Sequence, residues 1–272
     1  MSTDSLGIAP NLHPEEAKYF LQISDSILLM ATPAYEQHAQ AICDLVCDIK
    51  PFIFDSTAQP PENVSFSLDT KTPLIDPEKG FVVLLTSGTT GPAKGALHTR
   101  RSAAVGFSVQ IAAMGLTSND TWLHFSPAHW MGGFMFFMIN MLAGSCVEFC
   151  GSKMNHDWLL KRLQTNDSIC MHLTPPFLDS MAEKLEKLKE ETDPSVYTNA
   201  VQGLCRIRIL VSGSMTVGAS TQATWRGIRG GKPVTTLYGM TESLGMLAAN
   251  AGHGDGCVHC PLVSEWPEEY SK

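Results

Sequence analysis

The sequence predicts an α/β fold of mostly parallel sheets covered by helices, and three observations carry that prediction. Strand-length apolar runs alternate with helix-length periodic stretches through most of the 272 residues, the pattern of strands joined by crossover helices. Residues 81–85, Phe-Val-Val-Leu-Leu, are apolar without interruption, as in a strand covered on both faces. The composition is 44% apolar and 17% charged, which supports a large core that needs neither disulfides nor metal.

In chain order, helical periodicity covers 14–23 and 35–47, with short extended segments at 27–30 and 52–54. A connector runs from 55 to 78, where Pro60, Pro61, Pro73 and Pro77 oppose regular structure. The strand at 81–85 then delivers the chain into a loop rich in Ser, Gly and Thr, the place where α/β folds bind ligands. Helices follow at 102–114, 133–142, 157–164, 176–190 and 218–229, interleaved with strands at 122–125, 146–149, 169–173, 206–211 and 234–237. After Glu242 the periodicity dissolves into Gly, Ala, Asn and Pro. The expected organisation is therefore an α/β segment over 1–60, a ligand-binding core over 79–245 and an irregular tail over 246–272.

Charge and composition exclude several classes. Nineteen Lys plus Arg against 27 Asp plus Glu give a net charge of −8, which argues against a nucleic-acid partner. The run Lys184 to Lys189 alternates with Glu183, Glu186 and Glu190 and reads as a solvated helix face. No basic segment followed by an apolar run opens the sequence, so the expectation is an intracellular, cytoplasmic protein without a secretory signal. Residues 121–147 hold no Asp, Glu, Lys or Arg, yet Pro127, His129, Asn140 and several glycines interrupt them, so no transmembrane segment is expected. The eight cysteines fit reduced thiols better than a disulfide framework. His253, Cys257, His259 and Cys260 form one C-x-x-C with neighbouring histidines; a structural zinc site usually joins two separated ligand pairs, so an irregular tail with incidental thiols is the expectation.

Four segments carry chemistry. Thr86-Ser87-Gly88-Thr89-Thr90-Gly91-Pro92-Ala93-Lys94-Gly95 combines three glycines for close backbone approach, four hydroxyls and one lysine, which together suit a polyphosphate. It is no Walker loop, because Lys94 is preceded by Ala93 and followed by Gly95. Tyr238-Gly239-Met240-Thr241-Glu242 follows the strand at 234–237. Between them lie Ser126-Pro127-Ala128-His129-Trp130-Met131-Gly132-Gly133 and the turn Ser212-Gly213-Ser214. Taken alone, His129 and the turn also fit ordinary structural roles.

Together these segments resemble the AMP-forming adenylating superfamily, which includes acyl-CoA synthetases, luciferases and peptide-synthetase adenylation domains. The usual loop reads T-S-G-T-T-G-x-P-K-G; here Ala93 replaces the proline and Pro92 stands one place early. The resemblance implies that Thr86, Ser87, Gly88, Thr89, Thr90, Gly91 and Lys94 cradle the phosphates of ATP. It further implies that Tyr238 and Gly239 meet the adenine together with Gly213 and Ser214, that Thr241 binds the α-phosphate, and that Glu242 holds Mg²⁺. His129 would line the acyl pocket and gate the thiol tunnel. Lys94, Thr241, Glu242 and His129 are thus the implied catalytic set, with a small carboxylic acid as substrate and coenzyme A as co-substrate. Leu97-His98-Thr99-Arg100-Arg101 and the stretch 209–214 are most similar to malonyl-CoA and medium-chain acyl-CoA synthetases.

The similarity reaches upstream to His13-Pro14-Glu15-Glu16 and covers roughly the middle half of such a synthetase. The ribose-binding aspartate, the hinge arginine and the small C-terminal domain with its catalytic lysine have no counterpart in the sequence. The expectation is a partial large N-terminal domain that binds ATP weakly, turns over little alone, and self-associates or takes missing elements from a partner chain. The alternative is a non-catalytic nucleotide-binding or interaction protein of the same descent.

Overall fold

The computed structural model describes residues 5–46, 49–55, 76–86, 92–151, 154–165 and 167–250. The chain forms two compact units, Met1–Arg101 and Ser102–Lys272.

In the first unit, β1 (Ser5–Leu6) precedes α1 (Pro14–Ile23), β2 (Leu29–Ala31), α2 (Glu36–Cys43), β3 (Pro51–Ile53), β4 (Gly80–Thr86) and β5 (Lys94–Thr99). Helix α1 forms where its local signals agree. His13 Nδ1 accepts from the Glu15 N–H at 3.3 Å, Pro14 opens the first turn, and Glu15 and Glu16 complement the positive end of the helix. It buries Ala17, Phe20 and Leu21, one face at helical spacing, and Ala17 and Leu21 share a core cluster with Leu29, Ala39, Ile42, Cys43 and Ile49. The helix expected over 35–47 is shorter, a single 3₁₀ turn at Pro33–Tyr35 leading into α2, and Cys47 lies outside the described residues. Strands β2 and β3 pair in parallel.

A second correction concerns β5. The sequence reading passes from the Ser/Gly/Thr loop directly to a helix, whereas Lys94–Thr99 returns antiparallel to β4, with Thr86 opposite Lys94 and Gly80 opposite Thr99. The loop therefore closes a hairpin, with β1 parallel on the other side of β4. The sequence Lys-Gly-Ala-Leu-His-Thr has weak strand propensity, and its pairing with β4, whose Val82 and Leu84 are buried, makes it a strand.

The second unit holds the parallel sheet. Its strands are β6 (Asp120–His124), β7 (Cys146–Phe149), β8 (Ser168–His172), β9 (Ile209–Ser212), β10 (Thr235–Met240) and β11 (Gly245–Asn250), in the order β11-β10-β9-β8-β6-β7. All neighbours are parallel except β10 and β11. The helices are α3 (Arg100–Met114), which begins at the unit boundary, α4 (Met131–Ala143), α5 (His156–Arg162), α6 (Pro175–Glu191), α7 (Pro194–Arg206) and α8 (Ala219–Ile228). Strand alternation sends Leu123, Met171 and Leu210 into one core with Leu159, Leu178, Leu204 and Trp225 of α5 to α8. The opposite face turns Trp122 onto Phe136 of α4, ring centroids 4.7 Å apart.

Three expectations are corrected here. Helix α7 occupies residues read as a connection; Asp193 caps it by accepting from the Ser195 N–H at 2.7 Å, and Pro194 starts it. Arg206 consequently ends a helix, and the next strand begins at Ile209. Beyond Glu242 the chain is a strand to Asn250, paired antiparallel with β10; residues 251–272, with His253, Cys257, His259 and Cys260, lie outside the described residues. The charge-free stretch becomes β6, a loop, α4 and the start of β7. No described helix is long and apolar enough to cross a membrane.

The amino ends of the central strands meet at Asp120, only 1% exposed. Its carboxylate accepts from Arg208 Nε at 2.6 Å and from the second guanidinium nitrogen, from Thr117 N–H at 2.8 Å and from Ser168 Oγ at 2.9 Å. Burial alone would raise this carboxyl, but the bonds from Arg208, Thr117 and Ser168 prevail and hold it near about 2. Asp120→Asn is expected to cost about 2–4 kcal/mol of unfolding free energy at neutral pH, since it removes a buried charge partner. Because the folded-state value is depressed, the stabilisation is complete above the ordinary value of 3.8 and fades as pH falls towards about 2. Urea titrations should show the gap between wild type and variant narrowing over that window.

Candidate active site

Strands β6, β7, β8, β9 and β10 run the same way, so five connections leave the sheet at one edge. From β6 the chain moves first to β7 on one side and then to β8 on the other, which makes the carboxyl ends of β6 and β8 the topological switch point where open α/β sheets bind ligands.

The loop after β6 carries His129. The Trp130 N–H donates to the Pro127 carbonyl at 3.1 Å, and the Phe134 N–H donates to the Trp130 carbonyl at 2.9 Å. Gly133 makes this packing possible, because a Cβ there would lie 2.0 Å from the Pro127 carbonyl oxygen. His129 is partly buried beside the exposed Trp130, and burial pushes its imidazole below the ordinary value, favouring the neutral form.

The loop after β9 holds Gly213 and Ser214. A Cβ on Gly213 would stand 3.0 Å from the Leu237 carbonyl oxygen, so this turn lies against β10 beside the Tyr238 backbone. Ser214 is exposed and adopts φ 70°, left-handed backbone that is costly for a residue with a Cβ.

The Tyr238-to-Glu242 segment ends β10 in a single 3₁₀ turn, Thr241–Ser243. Tyr238 is 67% exposed, and the pairing with β11 shifts register between Tyr238 and Gly239. Ser243 Oγ donates to the Met240 carbonyl at 2.9 Å and to the Gly245 carbonyl at 3.1 Å. Leu244, at φ 56°, buries its side chain, and its carbonyl accepts from Gln110 Nε2 of α3 at 3.3 Å. Gly245 follows at φ 112°, where a Cβ would collide with Met135 of α4. The turn is thus fastened from behind by α3 and α4, while Glu242 is left exposed. These fastening residues escape the sequence reading; the visible signal is the glycine directly after Thr-Glu-Ser-Leu.

Of the phosphate-loop residues, Thr86 and Lys94 are described and stand opposite each other at the mouth of the β4–β5 hairpin. Thr86 Oγ1 donates to the Lys94 carbonyl at 3.4 Å, and the Tyr19 hydroxyl of α1 donates to the Ala93 carbonyl at 3.0 Å. The Lys94 side chain is exposed. Ser87, Gly88, Thr89, Thr90 and Gly91 lie outside the described residues. The structure therefore brings Gly213, Ser214, Tyr238, Gly239, Thr241, Glu242 and His129 to one edge of the second unit, and Thr86 and Lys94 to one hairpin of the first.

Among the described residues no group of three or more His, Cys, Asp or Glu side chains could hold a metal ion by itself. Mg²⁺ commonly keeps several waters and takes one or two carboxylates plus substrate phosphates, and the exposed Glu242 fits one arm of such a site.

The family described as AMP-binding enzyme matches residues 5–265. The chain belongs to this family. This AMP-binding chain is 28% identical over 264 residues to the mitochondrial malonate–CoA ligase of Xenopus laevis, covering 92% of itself and 44% of that relative. An acyl-CoA ligase of Aspergillus oryzae is 28% identical over 189 residues, 69% of this chain and 34% of that ligase. The AMP-binding chain therefore spans less than half the length of the curated relatives it matches. Among solved structures, a malonyl-CoA ligase ternary product complex with methylmalonyl-CoA and AMP bound gives a TM-score of 0.74 at 23% identity, over 93% of this chain and 50% of that one. ATP-bound MatB from Rhodopseudomonas palustris gives 0.68 at 20% identity, over 93% and 47%. These likenesses establish the fold.

Replacing Gly133 by Ala in this AMP-binding chain is expected to destabilise the second unit by about 1–3 kcal/mol, because backbone rather than a flexible side chain must give way. Chemical denaturation checks the loss, and collisional quenching of tryptophan fluorescence should register the displaced loop through the exposed Trp130.

Proposed function

We propose that the protein is an acid–thiol ligase of the acyl-CoA synthetase type, in which Mg-ATP adenylates a carboxylic acid and coenzyme A then takes the acyl group. The carrying observation is the exposed Tyr238–Glu242 segment, fastened through Leu244 at the carboxyl edge of a parallel sheet. A turn so held offers its side chains without rearrangement, which is what stabilising a transferring adenylyl group requires.

In this reading a carboxylate oxygen of the acid attacks the α-phosphorus of ATP and the bond to pyrophosphate breaks. The coenzyme A thiol then attacks the acyl carbonyl, and AMP leaves. Tyr238 gives a face for adenine, Gly213 and Ser214 close beside it, and Thr241 binds the α-phosphate. Lys94 and the hairpin loop, with Thr86 at its edge, hold the outer phosphates. Glu242 holds Mg²⁺, which when bound offsets the negative charge of the phosphates. Neutral His129 gives the acyl side of the site a wall without charge.

The test is binding first. Saturating Mg-ATP should stabilise the 272-residue chain by about 2–4 kcal/mol in thermal-shift measurements, by mass action on the native state, with most of the shift lost in Lys94→Ala and Glu242→Ala. Tyr238→Ala should weaken nucleotide binding by about 1–3 kcal/mol, the usual worth of base–aromatic stacking. A well-folded wild type that shows no shift would overturn the proposal. Acid-dependent ATP–pyrophosphate exchange then separates a chain that adenylates from one that only holds nucleotide.

A further inference from the structure

We infer that the open face of the β2–β3 sheet is a self-association surface, on which a second copy of this chain docks face to face. The inference concerns the first unit and stands apart from the ligase reading.

It starts from the register of the two strands. Leu29 lies beside Pro51, Met30 beside Phe52 and Ala31 beside Ile53, and the Phe54 N–H donates to the Ala31 carbonyl at 2.7 Å, so the parallel ladder runs on to Phe54. Side chains alternate across a strand, and neighbours in register share a side. Leu29 and Ala31 accordingly turn onto the core built with Ala17 and Leu21 of α1 and Ala39, Ile42 and Cys43 of α2. Met30, Phe52 and Phe54 fall on the other side together with Leu28, and all four are 52–59% exposed. Leu-Leu-Met-Ala and Pro-Phe-Ile-Phe are apolar on both sides, the pattern of parallel strands covered on both faces. One face has α1 and α2, and the described residues leave the other open.

Size and charge select the occupant. Four half-exposed side chains of this size present on the order of 400–500 Å² of apolar surface, and Ile27, 79% exposed in the segment leading into β2, extends it. Two such faces placed together bury on the order of 1,000 Å², the area at which specific interfaces begin. Residues 26–35 and 51–54 hold no Asp, Glu, Lys or Arg, so the face fits an uncharged partner surface rather than an acidic or basic one.

Copies that each carry a net charge of −8 repel one another at long range, and a face without charge is where they approach at least cost. The charges that flank β3 fit the same arrangement. Lys50 precedes the strand and Asp55 follows it, so a two-fold axis that sets the β3 strands of two copies antiparallel places the Lys50 end of each over the Asp55 end of the other. Such a contact uses the same patch on both copies and closes at the dimer.

The experiment follows the mass of the full 272-residue chain by sedimentation equilibrium over a concentration series. The expected result is a monomer–dimer equilibrium with a Kd in the micromolar range, as an interface at the lower size limit implies. Phe52→Asp and Met30→Lys should each weaken it at least about tenfold with the circular dichroism spectrum unchanged. Phe52→Ser repeats the test without adding a charge and carries it should a charged variant fail to fold. Val105→Asp, at an exposed apolar residue of α3, should leave the equilibrium unchanged. A chain that stays monomeric throughout the series overturns the inference, and so does a dimer that the folded β2–β3 variants keep. Hydroxyl-radical footprinting at Met30 and Phe52 reads the face directly, and labelling that falls as the dimer forms supports the inference. Labelling that is low at every concentration means that the chain covers its own face, for instance with residues 56–75, which lie outside the described ones, and overturns it.

Discussion

Three neighbouring strands of the large sheet meet one buried carboxylate. Asp120 opens β6, Ser168 opens β8, and Arg208 directly precedes β9; all three share hydrogen bonds at the Asp120 oxygens. Parallel pairing leaves each strand free to slide by a residue pair without changing which face is apolar, and apolar burial is a poor judge of such a slip. A charged, directional contact is a good one, because a displaced strand would strand either a carboxylate or a guanidinium away from its partner. With the amino ends fixed, the opposite ends of β6, β8 and β9 are level, and the loops that leave them are held at a common edge. The position of every candidate residue in the second unit depends on that alignment.

Alignment alone does not orient a side chain that must remain exposed. Tyr238 and Glu242 are both exposed and would fray if their turn rested only on its own hydrogen bonds. The structure resolves this by burying the neighbour. Leu244 is 2% exposed and reaches α3 through the Gln110 amide, while Gly245 lets α4 approach more closely than any Cβ would permit. Gly133 serves the His129 loop in the same way, and Gly213 lets its turn rest on β10. In each case a candidate residue that is exposed or only partly buried is positioned by a residue with no chemistry of its own.

This division of labour explains what was legible in the sequence. Helix α1 and strand β7 match their expected limits because their signals are local: a cap, a proline and a periodic face for one, a short apolar run for the other. Strand β5 was illegible because Lys-Gly-Ala-Leu-His-Thr becomes a strand only through β4. Helix α7 is signalled by Asp193-Pro194 and by a periodic face that buries Ala200, Gly203 and Leu204, and a reading of this segment as a connection misses both. Strand β11 depends on its pairing with β10. The motif residues were readable because each motif is contiguous. Gln110 and Leu244 were not, since a contact spanning 134 positions leaves no trace in either local segment.

The same edge also poses an electrostatic problem that bears on chemistry. The chain carries a net charge of −8, and the ligands proposed for it are themselves anions, so long-range attraction cannot gather them. Recognition has to come from short-range donors and bound cations. At the second unit's edge Glu242 is exposed, and a carboxylate there repels phosphate when bare and attracts it through a shared divalent ion. In the same unit, burial pushes the His124 imidazole down and that of His172 down to about 4. Charge at this edge is thus set by which groups burial neutralises and which the turn after β10 leaves in water.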